Sequence, residues 1–185
     1  MASTYSADLK LELMATGENS GTWGNKTNTN LNLVQQAIAG FENISIAGGA
    51  QTTALLMSDG AVSTARNANI KLSGTITGNQ IVTVPDSIEK IYIIENATSG
   101  TFTVQVKTAS GTGVTFSTTD KGVRVLYADG TNIVDSTLIS ANSEQTLAGK
   151  TLTAPKFADA GFIADANGNE QIIFQTTASA VNELE

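Results

Sequence analysis

The chain has 185 residues, 41% apolar and only 15% charged, and its 17 acids against 10 bases leave a net charge of −7. That balance gives no basic footprint for nucleic acid or an anionic membrane surface. With no cysteine and no histidine, disulfides, thiol catalysis, thiolate zinc sites and the commonest general base are all removed. The opening Met1-Ala2-Ser3-Thr4-Tyr5 lacks the basic-then-apolar pattern of a secretory signal, and no apolar run approaches membrane-spanning length. The expectation is a chain made in a cytoplasm, not inserted in a membrane and carrying no cofactor.

Residues 1–40 contain one amphipathic helix candidate, opened by the capping-competent run Thr27-Asn28-Thr29-Asn30 and closed by Gly40. Leu31, Val34 and Ile38 fall on one stripe, with Leu33 and Ala37 beside it. A helix of about ten residues is too short to stand alone, so this stripe must dock on something. Ahead of it, Gly17-Glu18-Asn19-Ser20-Gly21-Thr22-Trp23-Gly24 reads as a turn-rich loop holding the only tryptophan. Trp23 has two readings: a cap over the helix and the first strand of its own subunit, or a docking residue.

Residues 41–140 read as an antiparallel β domain. Phe102, Val104 and Val106 alternate with Thr103, Gln105 and Lys107, and Ile70 and Leu72 alternate with Asn69, Lys71 and Ser73. Val123, Val125 and Tyr127 alternate in the same way, but Leu126 interrupts them and implies burial on both faces. The continuous run Ile91-Tyr92-Ile93-Ile94 belongs in a central strand. Turn signals at Ser58-Asp59-Gly60, Thr77-Gly78-Asn79, Pro85-Asp86, Thr98-Ser99-Gly100, Ser110-Gly111-Thr112-Gly113 and Asp129-Gly130-Thr131-Asn132 separate the runs. Roughly seven to nine short strands between such turns favour a β-sandwich or jelly-roll-like arrangement.

The character of the chain changes at Ser143 to Phe157. Leu147, Leu152 and Phe157 stand five apart, which suits neither a helix face nor an alternating strand. Such sparse apolar residues gain burial most economically against copies of themselves. Gly161 to Gln175 then reads as a hairpin with an Asn167-Gly168 turn, marginal alone but able to bury Phe162, Ile172 and Phe174 around a three-fold axis. Residues 141–185 are thus expected to begin a trimeric β shaft, with contacts at Leu147, Leu152, Pro155, Phe157, Phe162 and Phe174. They carry six acids, Glu144, Asp159, Asp165, Glu170, Glu183 and Glu185, against two lysines, charges that a trimer must turn outward.

Gln145-Thr146-Leu147-Ala148-Gly149-Lys150-Thr151-Leu152-Thr153-Ala154-Pro155-Lys156 resembles a short element that recurs in tail-fibre and related receptor-binding proteins of bacteriophages, and Asp165 to Phe174 resembles a following unit of the same proteins. Gly21-Thr22-Trp23-Gly24 through Ala37 is similar to the opening pattern of many phage structural and fibre proteins, and Asn69 to Val134 to a small β domain near their front. The resemblance implies a homotrimeric fibre in the virion, attached to tail, baseplate or head proteins by its N-terminal end. A distal tip would meet a host-surface glycan or protein, and the chain would continue past Glu185. Attachment then falls to Trp23, Asn25, Leu31, Val34 and Ile38.

Candidate chemistry is sparse. Asp165-Ala166-Asn167-Gly168-Asn169-Glu170 is oxygen-rich, but its spacing suits a turn better than a calcium loop. Asp86 with Glu89, or Glu95 with Asp120, can be drawn as glycosidase-like pairs, and Lys71, Lys107 or Lys121 as partners of a nucleophilic serine. Each sits where a solvated surface charge is the ordinary explanation. A structural, non-enzymatic role is therefore expected. The rivals are a carbohydrate-binding adhesin, for which Trp23, Tyr92 and Tyr127 are the available aromatics, and a polysaccharide-degrading tailspike.

Overall fold

A computed structural model describes residues 2–136 together with two strands at 162–164 and 171–173. The chain divides into two compact units, Met1–Gln145 and Thr146–Glu185. In the first, β1 (Thr4–Tyr5) and β2 (Glu12–Leu13) form a small antiparallel pair and precede the helix α1 (Trp23–Ala39). Then come β3 (Phe41–Ser45), β4 (Gln51–Ala54), a 3-10 turn (Thr64–Arg66), β5 (Asn69–Thr75), β6 (Gln80–Val84), β7 (Glu89–Ser99), β8 (Val104–Thr108), β9 (Gly113–Phe116), β10 (Gly122–Asp129) and β11 (Ile133–Asp135). The fold is mainly β, with one α-helix among the described residues and two mixed sheets.

The sheets have the orders β11-β10-β7-β5-β3 and β4-β6-β8-β9. The expected antiparallel pairing is corrected here: β3, β5 and β7 run parallel in one sheet, and β4, β6 and β8 run parallel in the other. Within these two sheets only β7-β10, β10-β11 and β8-β9 are antiparallel. The cause lies in the turns. Thr77-Gly78-Asn79, Pro85-Asp86 and Ser99-Gly100 do not fold a strand back on its neighbour but carry the chain from one sheet to the other, so that it winds in coils. From β5 onward the next coil lies 24 residues on: Asn69 pairs with Ile93 and Gln80 with Val104. The signals at Ser110-Gly111-Thr112 and Asp129 to Asn132 do close hairpins, and there the Asp129 carboxylate accepts from the Thr131 and Asn132 amides at 2.8 and 2.6 Å.

Both sheets turn their apolar residues onto one core, in which Ile70, Leu72 and Ile94 meet Val82, Val104, Val106 and Phe116. The alternation expected for β5 and for the Phe102 to Val106 strand is present, with Val104 and Val106 buried and Phe102 packed against them. Polar side chains stitch successive coils at the 24-residue offset. Lys71 pairs with Glu95 at 2.9 Å, Ser99 Oγ donates to Thr75 Oγ1 at 2.9 Å, and the Thr103 amide donates to Asn79 Oδ1 at 3.1 Å. Buried Gln80 fills the inside of a corner, its Nε2 donating to the carbonyls of Gly48, Gly49 and Gly78.

The second unit contributes β12 (Phe162–Ala164) and β13 (Gln171–Ile173), paired antiparallel with Phe162 opposite Ile173, as the hairpin reading expects. The expected contacts Leu147, Leu152, Pro155, Phe157 and Phe174 lie outside the described residues.

Coil stacking requires the backbone to approach itself closely at the corners. Gly100 has φ +105°, and a Cβ there would sit 2.3 Å from the Ile76 carbonyl oxygen. Gly100→Ala is expected to destabilise the unit by about 2–4 kcal/mol, combining left-handed strain with the clash, read as a lower denaturant midpoint with an unchanged slope.

Candidate attachment surface

The helix is longer than its sequence suggested, with 17 residues, and it starts at Trp23 rather than at the Thr27 to Asn30 run. The Asn25 and Lys26 amides both bond the Thr22 carbonyl, so the Gly-Thr-Trp-Gly segment supplies the first turn and not a loop. Gly40 ends it as expected, its N–H reaching the Gln36 carbonyl. The Thr and Asn residues expected to cap the helix instead lie within it, and one of them, Asn30, ties it to the rest of the unit.

Those ties decide which face is turned inward. Asn30 clamps the backbone of Glu12, accepting from its amide at 3.0 Å and donating to its carbonyl at 2.8 Å. The buried Glu12 carboxylate takes the Lys26 ammonium at 2.9 Å and the Ser3 hydroxyl at 2.8 Å. These contacts, Lys26 first, hold its pKa below the ordinary value. Further along, Gln36 donates to the Ser63 carbonyl at 3.2 Å and accepts from Arg66 at 3.5 Å. Arg66 is fully buried and also donates to the carbonyls of Leu9 at 3.0 Å and Ser58 at 2.7 Å, to Ser63 Oγ at 2.8 Å, and to the Ala61 carbonyl.

Only Leu33 is a fully buried apolar residue of the helix. The stripe expected to dock points the other way: Leu31 is 60% exposed, Ile38 73% and Trp23 64%, while Val34 is half-buried and Asn25 exposed. The helix therefore faces its own subunit with Lys26, Asn30, Leu33 and Gln36 and faces outward with Trp23, Leu31 and Ile38. Of the two readings of Trp23, the intramolecular cap is not what its exposure describes. Sequence reasoning found the outward stripe and missed the inward ties, because a buried polar clamp has no periodic signal; Arg66 stands alone among small residues with nothing to mark it.

Most of the residues considered for chemistry are engaged elsewhere, while Glu89 is an exposed surface carboxylate. Asp86 accepts from the Ser110 amide and hydroxyl at 3.0 and 2.9 Å, Glu95 is paired with Lys71, and Asp120 with Arg124, which also reaches Asp135 at 2.8 Å. Lys121 donates to Thr98 Oγ1 at 3.1 Å. Among the described residues no three acidic side chains converge on a common point, and no helix is long and apolar enough to cross a membrane. Tyr92 is buried in the core, and Tyr127 is 41% exposed on the outer face of the five-stranded sheet. No protein-family model, curated protein or solved structure matches the chain.

The Glu12 node gives the helix seat a defined acid sensitivity. A carboxylate whose folded pKa is depressed stabilises fully above its unfolded value, here 4.5, and loses that contribution as the pH falls through the folded value. Amide protection factors, which correct for the intrinsic pH dependence of exchange, are expected to fall at Glu12 and along the first turns of the helix below that pH; Glu12→Gln is expected to reduce that fall, leaving the share of Glu18, whose carboxylate also holds Ser3, and to leave protection in the β sheets unaffected.

Proposed function

We propose that this chain is the virion-proximal part of a bacteriophage fibre, a structural protein with no catalytic role. In this reading the helix attaches it to the particle, the sandwich-like two-sheet unit is a rigid collar, and the residues after it open a homotrimeric shaft that leads toward a receptor-binding tip. The observation that carries the reading is the orientation of the helix. A surface helix ordinarily turns its apolar stripe inward; this one is tied inward by polar groups and leaves Trp23, Leu31 and Ile38 uncovered. The same stretch, Gly21 to Ala37, is the one that resembles the opening pattern of phage fibre proteins.

The collar assignment is supported by the coiled backbone. Polar ladders between successive coils and a shared core give a stiff body without disulfides, which suits a particle component exposed after assembly. The adhesin alternative is less well supported, because Tyr92 is buried while Trp23 and Tyr127 lie on separate elements. The tailspike alternative has no pair of free carboxylates behind it, since Asp86, Glu95 and Asp120 all hold structural partners.

The double variant Leu31→Asp/Ile38→Asp alters only exposed positions and is expected to keep the circular dichroism spectrum of the parent. Its incorporation into virions during complementation of a fibre-defective phage should fall at least tenfold. Incorporation at the parental level would overturn the attachment reading.

A further inference from the structure

We propose that the outer face of the five-stranded sheet is the surface through which copies of this chain meet. The inference rests on the homotrimer reading above and assigns its contact to the Met1–Gln145 unit rather than to the shaft residues alone.

The sequence and the structure disagree about this face, and the disagreement is informative. Ile91-Tyr92-Ile93-Ile94 and Val123 to Tyr127 carry apolar residues on both sides of their strands, the pattern of strands covered on both faces. The central position expected for the first run is observed, because β7 lies between β5 and β10. Its inward residues Tyr92 and Ile94 are 1% and 2% exposed. Its outward residues are not covered: Ile91 is 65% and Ile93 38% exposed, and Val123, Tyr127 and Phe41 on neighbouring strands are 50%, 41% and 61% exposed.

Register makes these residues contiguous. Phe41, Asn69, Ile93 and Val125 form one row across four strands, and Ile91, Tyr127 and Val134 form the next. Together with Val123 they make a contiguous exposed apolar patch on the order of a few hundred Å², the size at which such patches mark interaction sites.

Three observations favour a second copy as the occupant. First, neither row contains a charge; on one flank Lys71 and Glu95 neutralise each other at 2.9 Å, and only at the strand ends on the other flank do two exposed acids, Glu89 and Asp129, lie opposite each other. For a chain of net charge −7, the two central rows are where like molecules can approach without bringing like charges together. Second, a groove of 580 Å³ runs between Ile91, Val125 and Tyr127 and is bounded by Ser136. Third, Ser136, the last residue described in this unit, lies on the same face, its amide and hydroxyl bonding the Val125 carbonyl, and 49 residues (185 − 136) follow it in sequence; copies joined on this face bring these points together, as the proposed common shaft requires.

The test uses the full chain, which has no cysteine. Light scattering after size exclusion would be compared for the parent and for Ile91→Lys/Val123→Lys at low micromolar concentration. The expected result is a three-fold mass for the parent and a one-fold mass for the variant, with the same circular dichroism spectrum. A three-fold mass for both would overturn this surface and leave the trimer reading standing; a one-fold parent would overturn both. Should the double variant not fold, Ile91→Cys treated with a short bismaleimide decides the matter. Linked chains on a denaturing gel, absent for Val62→Cys, are expected, and their absence from a multimeric parent would overturn the proposal. Linked chains from a two-fold parent would support the surface and replace the trimer by a dimer.

Discussion

The fully buried guanidinium of Arg66 is the constraint on which the arrangement of the first unit depends. Its donors reach the carbonyls of Leu9, Ser58 and Ala61, the Ser63 hydroxyl and the Gln36 side chain, joining the N-terminal strand pair, the helix and the loop after β4 at one point. Removing a cation from water costs several kcal/mol, and the cost is offset only when the donors are satisfied. Charge-assisted bonds contribute about 1.5–3 kcal/mol each, which makes this arrangement favourable as long as all three segments are in place. The planar fork sets the angles between its acceptors, a role that a lysine with one point of charge does not fill. The helix is therefore seated by a polar node rather than by a core, and this is why its apolar stripe is left facing solvent.

Much of the β unit is legible in the sequence at the level of single strands and little of it at the level of pairing. Alternation identifies the inward residues Ile70, Leu72, Val104 and Val106 because burial on one face leaves a period of two. Pairing leaves no such mark. Across the coils starting at Asn69 and Ile93, only Ile70 with Ile94, Thr77 with Thr101 and Val82 with Val106 are identical among the first eighteen positions. The repeat resides in spacing and in complementary polar partners such as Lys71 with Glu95, so internal similarity of residues does not reveal it. A Gly-containing turn also reads alike whether it closes a hairpin or rounds a corner; at Thr77-Gly78-Asn79 the corner is held from within by Gln80, which bonds the Gly78 carbonyl and the Gly48 and Gly49 carbonyls of the preceding coil.

The candidate surfaces divide along the same line. Leu31, Val34, Ile38 and Trp23 are legible because they form an apolar stripe, although which way the stripe faces is set by Asn30 within the helix together with Glu12 and Arg66, which lie outside it in sequence. The sheet face was legible in a stronger sense: two-sided apolar strands announced a second layer that the described chain does not provide. In the helix the polarity is opposite to that of an ordinary surface helix, with polar groups tying it inward and apolar groups outward; the sheet keeps an apolar core on its inner face and is apolar on its outer face as well.

Seating the helix in this way has a physical logic for the proposed subunit of an assembly. Polar networks such as those of Arg66 and Glu12 are directional, so they fix one orientation of the helix and define a surface before any partner is present. Apolar faces are tolerant of small displacements and gain most when large areas are removed from water at once. A chain that spent its apolar stripe on seating its own helix would keep little affinity for anything else. Seating it with hydrogen bonds instead keeps Trp23, Leu31 and Ile38 available, and ending the helix at Gly40 places Phe41 immediately on the sheet's uncovered face. The two outward surfaces thus meet along the chain between Ile38 and Phe41; in the proposed assembly, contact with the particle and contact between copies would reinforce one another, since ordering either surface reduces the conformational freedom left to be lost at the other.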